Sequence, residues 1–196
     1  MNRDEAWALL CEYTQSESLR RHGLGVEAVM RALARKHGED EALWGVTGLL
    51  HDFDYERWPD PPDHPVRGSE VLRARGAGEA MVRAILGHAS YTGVPRDTLL
   101  ARALFAADEL TGFVFAVALV RPGRSVHDVE VGSVKKKLKD KAFARTVNRE
   151  EVAQGMRELA VEPDAHIALV IEALKGVADR VGLSGTGAAA PGGGEG

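Results

Sequence analysis

The sequence has few of the features that mark disulfide-rich, membrane-spanning or nucleic-acid-binding proteins. Its single cysteine, Cys11, excludes an internal disulfide and a cysteine-only metal site. The longest apolar run, Phe113 to Val120, is far shorter than the roughly 20 residues of a membrane helix. The chain has 25 basic and 29 acidic residues, a balance that argues against broad nucleic-acid binding. The opening MNRDEAWALL has no long apolar region, and these absences together predict a soluble, cytoplasmic protein.

Aromatic residues make up only 6% of the chain, so the hydrophobic core is predicted to be mainly aliphatic. A length of 196 residues suits one domain with a sizeable core. The last residues, 184–196, read SGTGAAAPGGGEG and include no large apolar side chain. Such a segment buries too little to offset its ordering entropy. We therefore predict a single domain over 1–183, followed by a disordered Gly/Ala-rich tail over 184–196.

The pattern of apolar residues predicts an all-α protein. Valine, isoleucine and threonine are scattered, and no sustained period-two alternation indicates a strand. Helix starts are marked by N-cap residues, and helix ends by glycine and proline. The first four predicted helices begin at Asn2, at Ser16 or Ser18, near Glu39 and near Pro65, and the second of them ends near His37. Two more run from Glu79 to about Ser90 and from about Asp97 to Leu119. Shorter helices are predicted near 131–139, 148–159 and 163–181.

Several polar residues occupy positions where these helices require apolar ones. His22 lies in a stripe with Leu19, Val26, Val29 and Leu33, spaced 3, 4, 3, 4 on one helix face. His51 and His88 end similar stripes, and Asp108 lies in the middle of LLARALFAADELTGFVFAVAL. A buried carboxylate costs several kcal/mol unless it is paired or binds a metal. Singly, each histidine more often packs as a structural residue, and Asp108 is as often a cap or a salt-bridge partner. Together they favour a metal site.

These residues resemble the pattern that names the HD superfamily: a histidine, an adjacent His-Asp pair and a distant aspartate. Here they are His22, His51, Asp52 and Asp108. The phrases LLHDFDYE and ALFAADELTG are similar to the corresponding family segments, and the resemblance covers roughly residues 18 to 120. It implies a compact HD-domain helical bundle, here with extra C-terminal helices, and a metal-dependent phosphohydrolase.

The resemblance also implies a set of metal ligands. Members with two metals have two further histidines, matched here by His64 and His88. By that analogy His51 binds one metal and Asp52 bridges both. His22 and Asp108 then complete the first site, and His64 and His88 the second. Imidazole and carboxylate suit one or two divalent ions of the manganese, iron, cobalt or zinc class.

The predicted reaction is hydrolysis of a phosphate ester or nucleotide by a metal-activated water. The stretch from His88 to Asp108 is similar to that of bacterial HD hydrolases that split diadenosine tetraphosphate. The candidate catalytic residues are Asp52, Asp54 and Glu56, and the candidate phosphate-binding residues are Arg21, Arg57 and Arg67. Many members place lysine or glutamate three residues after the pair's aspartate, where this chain has Tyr55, so substrate identity stays open.

Two alternative functions share the same ligands. Some HD proteins hold two irons in the six-residue set and oxidise a substrate with oxygen. A non-catalytic HD protein would keep the fold and bind metal or nucleotide without turnover. A homodimer formed by the helices after Pro122 is a further hypothesis.

Overall fold

In the computed structural model, which describes residues 1–185, the chain forms ten α-helices and two short 3₁₀-helices, with no strand among those residues. The all-α prediction is therefore confirmed. The helices are α1 (Arg3–Tyr13), α2 (Glu17–His37), α3 (Glu41–Leu50), α4 (Asp63–Ala74), α5 (Glu79–His88), α6 (Leu99–Leu119), α7 (Val131–Lys139), α8 (Arg149–Glu158), α9 (Pro163–Lys175) and α10 (Ala178–Val181).

Side-chain caps start most of these helices where the sequence predicted them. Asn2 and Glu5 form a capping box at α1, and the side chain of Ser16 accepts from the backbone N–H of Leu19 at α2. His64 has extended backbone angles (φ −80°, ψ 137°) because it precedes proline, so regular helix begins only after Pro65, in agreement with the predicted start near that residue. One boundary differs from the prediction. The predicted helix over 163–181 is divided in two after Lys175.

Helix α6 is the centre of the fold and packs against α2, α5, α8 and α9. Its buried residues occur nearly all round the helix, which explains its continuous apolar sequence. Although α6 is 21 residues long, neither it nor another helix described here is long and apolar enough to cross a membrane. Helices α2 and α3 have the most extensive contact of any pair, and a Cβ at Gly48 would lie 2.9 Å from the carbonyl oxygen of Val26.

The C-terminal segment returns to the loop that follows α6. The backbone N–H of Val126 donates to the carbonyl oxygen of Leu183 (2.9 Å), and Ser184 forms an isolated antiparallel bridge with Ser125. Residues 186–196, most of the tail predicted to be disordered, lie outside the described residues.

Candidate metal centre

Six side chains form two adjacent groups of potential metal ligands. The first contains His22 from α2, His51 at the end of α3, and Asp108 from α6; the second contains Asp52, His64 and His88. Within each group the ligand atoms all lie within 4.8 Å of one another. The structure therefore brings together all six residues that the sequence predicted as ligands.

The carboxylate of Asp52 lies between the two groups. Its Oδ1 is 3.2 Å from Nε2 of His64 and 3.2 Å from Nε2 of His88. Its Oδ2 is 3.5 Å from Nε2 of His51, in the other group. Asp52 thus presents one oxygen to each group, as a bridging ligand requires. In the first group, Oδ1 of Asp108 lies 2.9 Å from Nε2 of His22 and 3.2 Å from Nε2 of His51.

Backbone carbonyls orient two of the histidine rings. Nδ1–H of His51 donates to the carbonyl oxygen of Gly48 (2.8 Å), and Nδ1–H of His88 donates to that of Ile85. These bonds fix the tautomer and leave each Nε2 lone pair facing the cluster, as in metal-binding histidines. Nε2 of His51 is wholly buried and has no hydrogen-bond partner. An orphaned imidazole nitrogen beside carboxylates fits a divalent cation.

Asp54 orients His64. Its Oδ1 accepts from Nδ1–H of His64 (2.8 Å), and its Oδ2 accepts from the backbone N–H of Gly68 (3.0 Å). The carboxylate is buried, and a Cβ at Gly68 would lie 2.5 Å from it. Asp54 therefore orients the candidate metal ligand His64 through a hydrogen bond to its Nδ1. This placement differs from its prediction as a candidate catalytic residue.

The charges of the cluster favour a bound cation. Burial opposes protonation of His51, but the nearby Asp52 and Asp108 outweigh it and raise its pKa well above the usual value. Burial likewise opposes ionisation of the two aspartates, yet the histidines around them hold their pKa values well below the usual range. For His64, hydrogen bonds to Asp52 and Asp54 exceed the effect of burial and raise its pKa to about 9. The site thus stabilises positive charge, which divalent ions would supply.

A cavity of about 480 Å³ opens onto Asp52, His64, His88 and Asp108. Its other walls include residues that the sequence analysis did not identify as site residues: Tyr91, Glu109, Asn148 and Glu151. Burial and the neighbouring Asp108 raise the pKa of Glu109 to about 7. The sequence placed Asn148 and Glu151 only within the helix predicted near 148–159, and Glu109 had no signal beyond following Asp108.

Glu56 lies outside the cluster, although the sequence predicted it as catalytic. Its Oε2 accepts from the backbone N–H groups of Gln15 (2.8 Å) and Ser16 (2.9 Å). These bonds attach the segment after the His-Asp pair to the turn between α1 and α2. The contact is structural, so the geometry gives Glu56 no access to the cavity.

The three predicted phosphate-binding arginines also contact groups elsewhere. The contacts are Arg21 with Glu17, Arg57 with the carbonyl oxygen of Glu12 (2.6 Å), and Arg67 with Asp63 (3.0 Å). None of the three lines the cavity. The structure therefore brings the predicted ligands together but does not bring these arginines to them.

One comparison with known proteins identifies the family. The family model described as HD domain matches residues 19–112, a range that contains all six ligands and most of the helices that position them. No solved structure matches the chain. The match and the two ligand groups agree with the sequence pattern, and residues 19–112 of the chain form an HD domain.

Proposed function

We propose that this protein is a metal-dependent phosphohydrolase that cleaves a phosphate ester or nucleotide. The observation that carries the proposal is the position of Asp52, shared by two ligand groups at the base of a cavity. When bound there, divalent metals would lower the pKa of a coordinated water and polarise the phosphate oxygens.

The six ligand residues would bind two metal ions in this proposal. His22, His51 and Asp108 would hold one ion, and His64 and His88 the other. Asp52, which presents one oxygen to each group, would serve both. The four histidines would bind in their neutral form, so Asp52 and Asp108 alone would contribute negative charge. Two divalent ions would then leave the centre with a net charge of about +2, which complements the dianion of a phosphate monoester.

Asp54 and the carbonyl groups behind His51 and His88 keep the ligands in place during turnover. Partners of this kind hold ring orientation and raise ligand basicity, and their loss typically costs about 10- to 100-fold in metal affinity or activity. We assign Asp54 to this positioning role.

The first experiment measures metal content per chain in protein purified without a metal-chelating tag. Phosphate release from p-nitrophenyl phosphate and nucleotides is then measured with added manganese or iron. Metal-dependent release supports the proposal. Two irons per chain with oxygen consumption and no phosphate release would instead indicate the oxygenase chemistry that uses the same ligands.

The Asp108→Ala variant tests the ligand assignment directly. It removes the carboxylate that belongs to the first group alone, so metal content should fall and activity should drop by more than about 100-fold. Circular dichroism should show that the helices persist. Asp4→Ala, which alters an exposed aspartate in α1, is the matched control and should behave as wild type. Full metal content and turnover in Asp108→Ala would refute the assignment.

A further inference from the structure

The cavity at the metal centre has an acidic wall. Beside Asp52 and Asp108 it is lined by Glu109 and Glu151, and no lysine or arginine is among its described lining residues. The residues outside the described range, 186–196, contain no lysine or arginine either. A substrate in this cavity therefore meets positive charge only at the metal centre.

Hydrogen bonds fix this wall to the fold. Glu109 accepts from the backbone N–H of Asn148 (3.2 Å), and Glu151 accepts from the hydroxyl of Ser90 (2.7 Å). The side-chain oxygen of Asn148 caps α8 by accepting from two backbone N–H groups. The carboxylates are thus held at the cavity and cannot swing freely away from it. Helix α8 lies beyond the matched residues 19–112, so this part of the wall is an addition to the HD domain.

A neighbouring cavity of about 600 Å³ shares only Ser90 with the first cavity and is lined by Arg96 and Arg102. Both carboxylate oxygens of Glu158, another lining residue, accept from the guanidinium of Arg96 (2.6 and 2.9 Å). Asp97 lines this cavity too and pairs with Arg83, which lies outside it (3.1 Å). Arg102 is therefore the lining cation that no described ion pair holds, and it belongs to this cavity and not to the one at the metal centre.

We propose that the wall formed by Glu109, Asn148 and Glu151 selects substrates with a single phosphoryl group and a neutral remainder. This inference rests on the proposed hydrolase function. One phosphate dianion balances the charge of the metal centre, and every additional phosphate is repelled by the fixed carboxylate of Glu151. The remaining carboxylate lone pairs favour hydroxyl or amine donors on the leaving group.

Two tyrosines at the mouth of the cavity complete this description of the substrate. Tyr55 and Tyr91 also line it and are 41% and 51% exposed, so their rings offer apolar faces to a sugar or a base. The ring of Tyr91 is fixed because its hydroxyl donates to the carbonyl oxygen of His64 (2.6 Å). The substrate class is a phosphate monoester of a neutral hydroxylated compound, such as a nucleoside monophosphate. Polyphosphates and dinucleoside polyphosphates are disfavoured.

The test compares AMP, ADP and ATP as substrates, with p-nitrophenyl phosphate as reference, at fixed free Mn²⁺. We expect kcat/KM for AMP to exceed that for ATP by at least about tenfold. Glu151→Gln keeps an oxygen for Ser90 but removes the charge, so the ratio should fall by roughly threefold. The matched control, Glu150→Gln, removes an exposed charge from the same helical turn outside the cavity and should leave the ratio unchanged.

Failure of the inference and failure of the proposed function are distinguishable. If the enzyme hydrolyses ATP as well as AMP, or if both glutamine variants change the ratio equally, the selecting wall is refuted while the hydrolase stands. If no substrate is hydrolysed, equilibrium dialysis of the metal-loaded protein measures the binding of AMP and of ATP and tests the inference without turnover. Tighter binding of AMP than of ATP supports the wall without hydrolysis, and equal or tighter binding of ATP refutes it.

Discussion

Replacing Gly68 by alanine would place a methyl group against the carboxylate that orients His64. The new Cβ would lie 2.5 Å from both Cγ and Oδ2 of Asp54, closer than real Cβ atoms approach other heavy atoms. Asp54 is buried and bonded to both His64 and the backbone of Gly68, so it has no free direction in which to move. The clash should therefore be transmitted to the His64 ring.

The magnitude follows from two opposing effects. Alanine at this position in α4 favours the helix by up to about 1 kcal/mol relative to glycine. Overpacking a filled interior typically costs about 1–3 kcal/mol, and displacement of Asp54 weakens two buried hydrogen bonds. We expect the free energy of unfolding of the metal-free protein to fall by about 1–2 kcal/mol. Metal affinity at the group containing His64 should fall by about 10- to 100-fold.

The assay combines denaturant unfolding with calorimetric metal titration. Gly132→Ala is the matched control, because a Cβ at Gly132 in α7 meets nothing within 4 Å. That variant should be as stable as wild type or more stable, with unchanged metal binding. A second test uses Asp54→Ala as the background: without the carboxylate there is room for the methyl group, so Gly68→Ala should no longer destabilise.

Unchanged metal affinity in Gly68→Ala would refute the reasoning, since it would show that His64 does not depend on Asp54. A Gly68→Ala penalty of the same size in the Asp54→Ala background would also refute it, because the clash would then lie elsewhere.

Three further changes have defined outcomes. Arg149 donates to five carbonyl oxygens between residues 138 and 147. Arg149→Ala should therefore lower the free energy of unfolding by about 1–3 kcal/mol in chemical denaturation, and Arg149→Lys should not restore it. Burial lowers the pKa of His166, so the protein is stabilised above the pKa of this histidine in the unfolded chain and loses that stability as pH falls below about 6.5. Below that pH the free energy of unfolding of wild type should fall by up to about 1.4 kcal/mol per pH unit more than that of His166→Gln. Parallel plots of unfolding free energy against pH for the two proteins would contradict this. Glu56→Ala should lower the melting temperature yet leave kcat within about twofold, whereas a large drop in kcat would restore its predicted catalytic role.

The helices and the metal ligands could be predicted because their signals are local. An N-cap such as Asn2 or Ser16 bonds to a residue three positions away, so its sequence neighbourhood contains the whole interaction. His22, His51 and His88 were visible because each interrupts an apolar stripe on its own predicted helix, whereas His64 was found only through the family resemblance. Asp108 was visible because α6 is apolar nearly all round it.

The supporting and selecting residues could not be predicted, because their roles depend on contacts between distant segments. Asp54 faces His64 only because Gly68 leaves room for its carboxylate. Glu151 reaches the cavity because α8 packs on α6, and no sequence motif predicts this packing. Arg21 shows the opposite error: adjacent helix residues diverge by about 100°, so proximity to His22 in sequence did not bring it to the cavity.

The wide separation of the ligands along the chain links metal supply to the lifetime of the protein. His22 and Asp108 are 86 positions apart, so the first ligand group exists only when α2, α3 and α6 are packed together. An ion bound there would act as a cross-link of the native state alone. Free metal at 100 times its dissociation constant would add about 2.7 kcal/mol to stability by mass action. Metal starvation would then reduce the amount of the protein, through unfolding and proteolysis, as well as its activity.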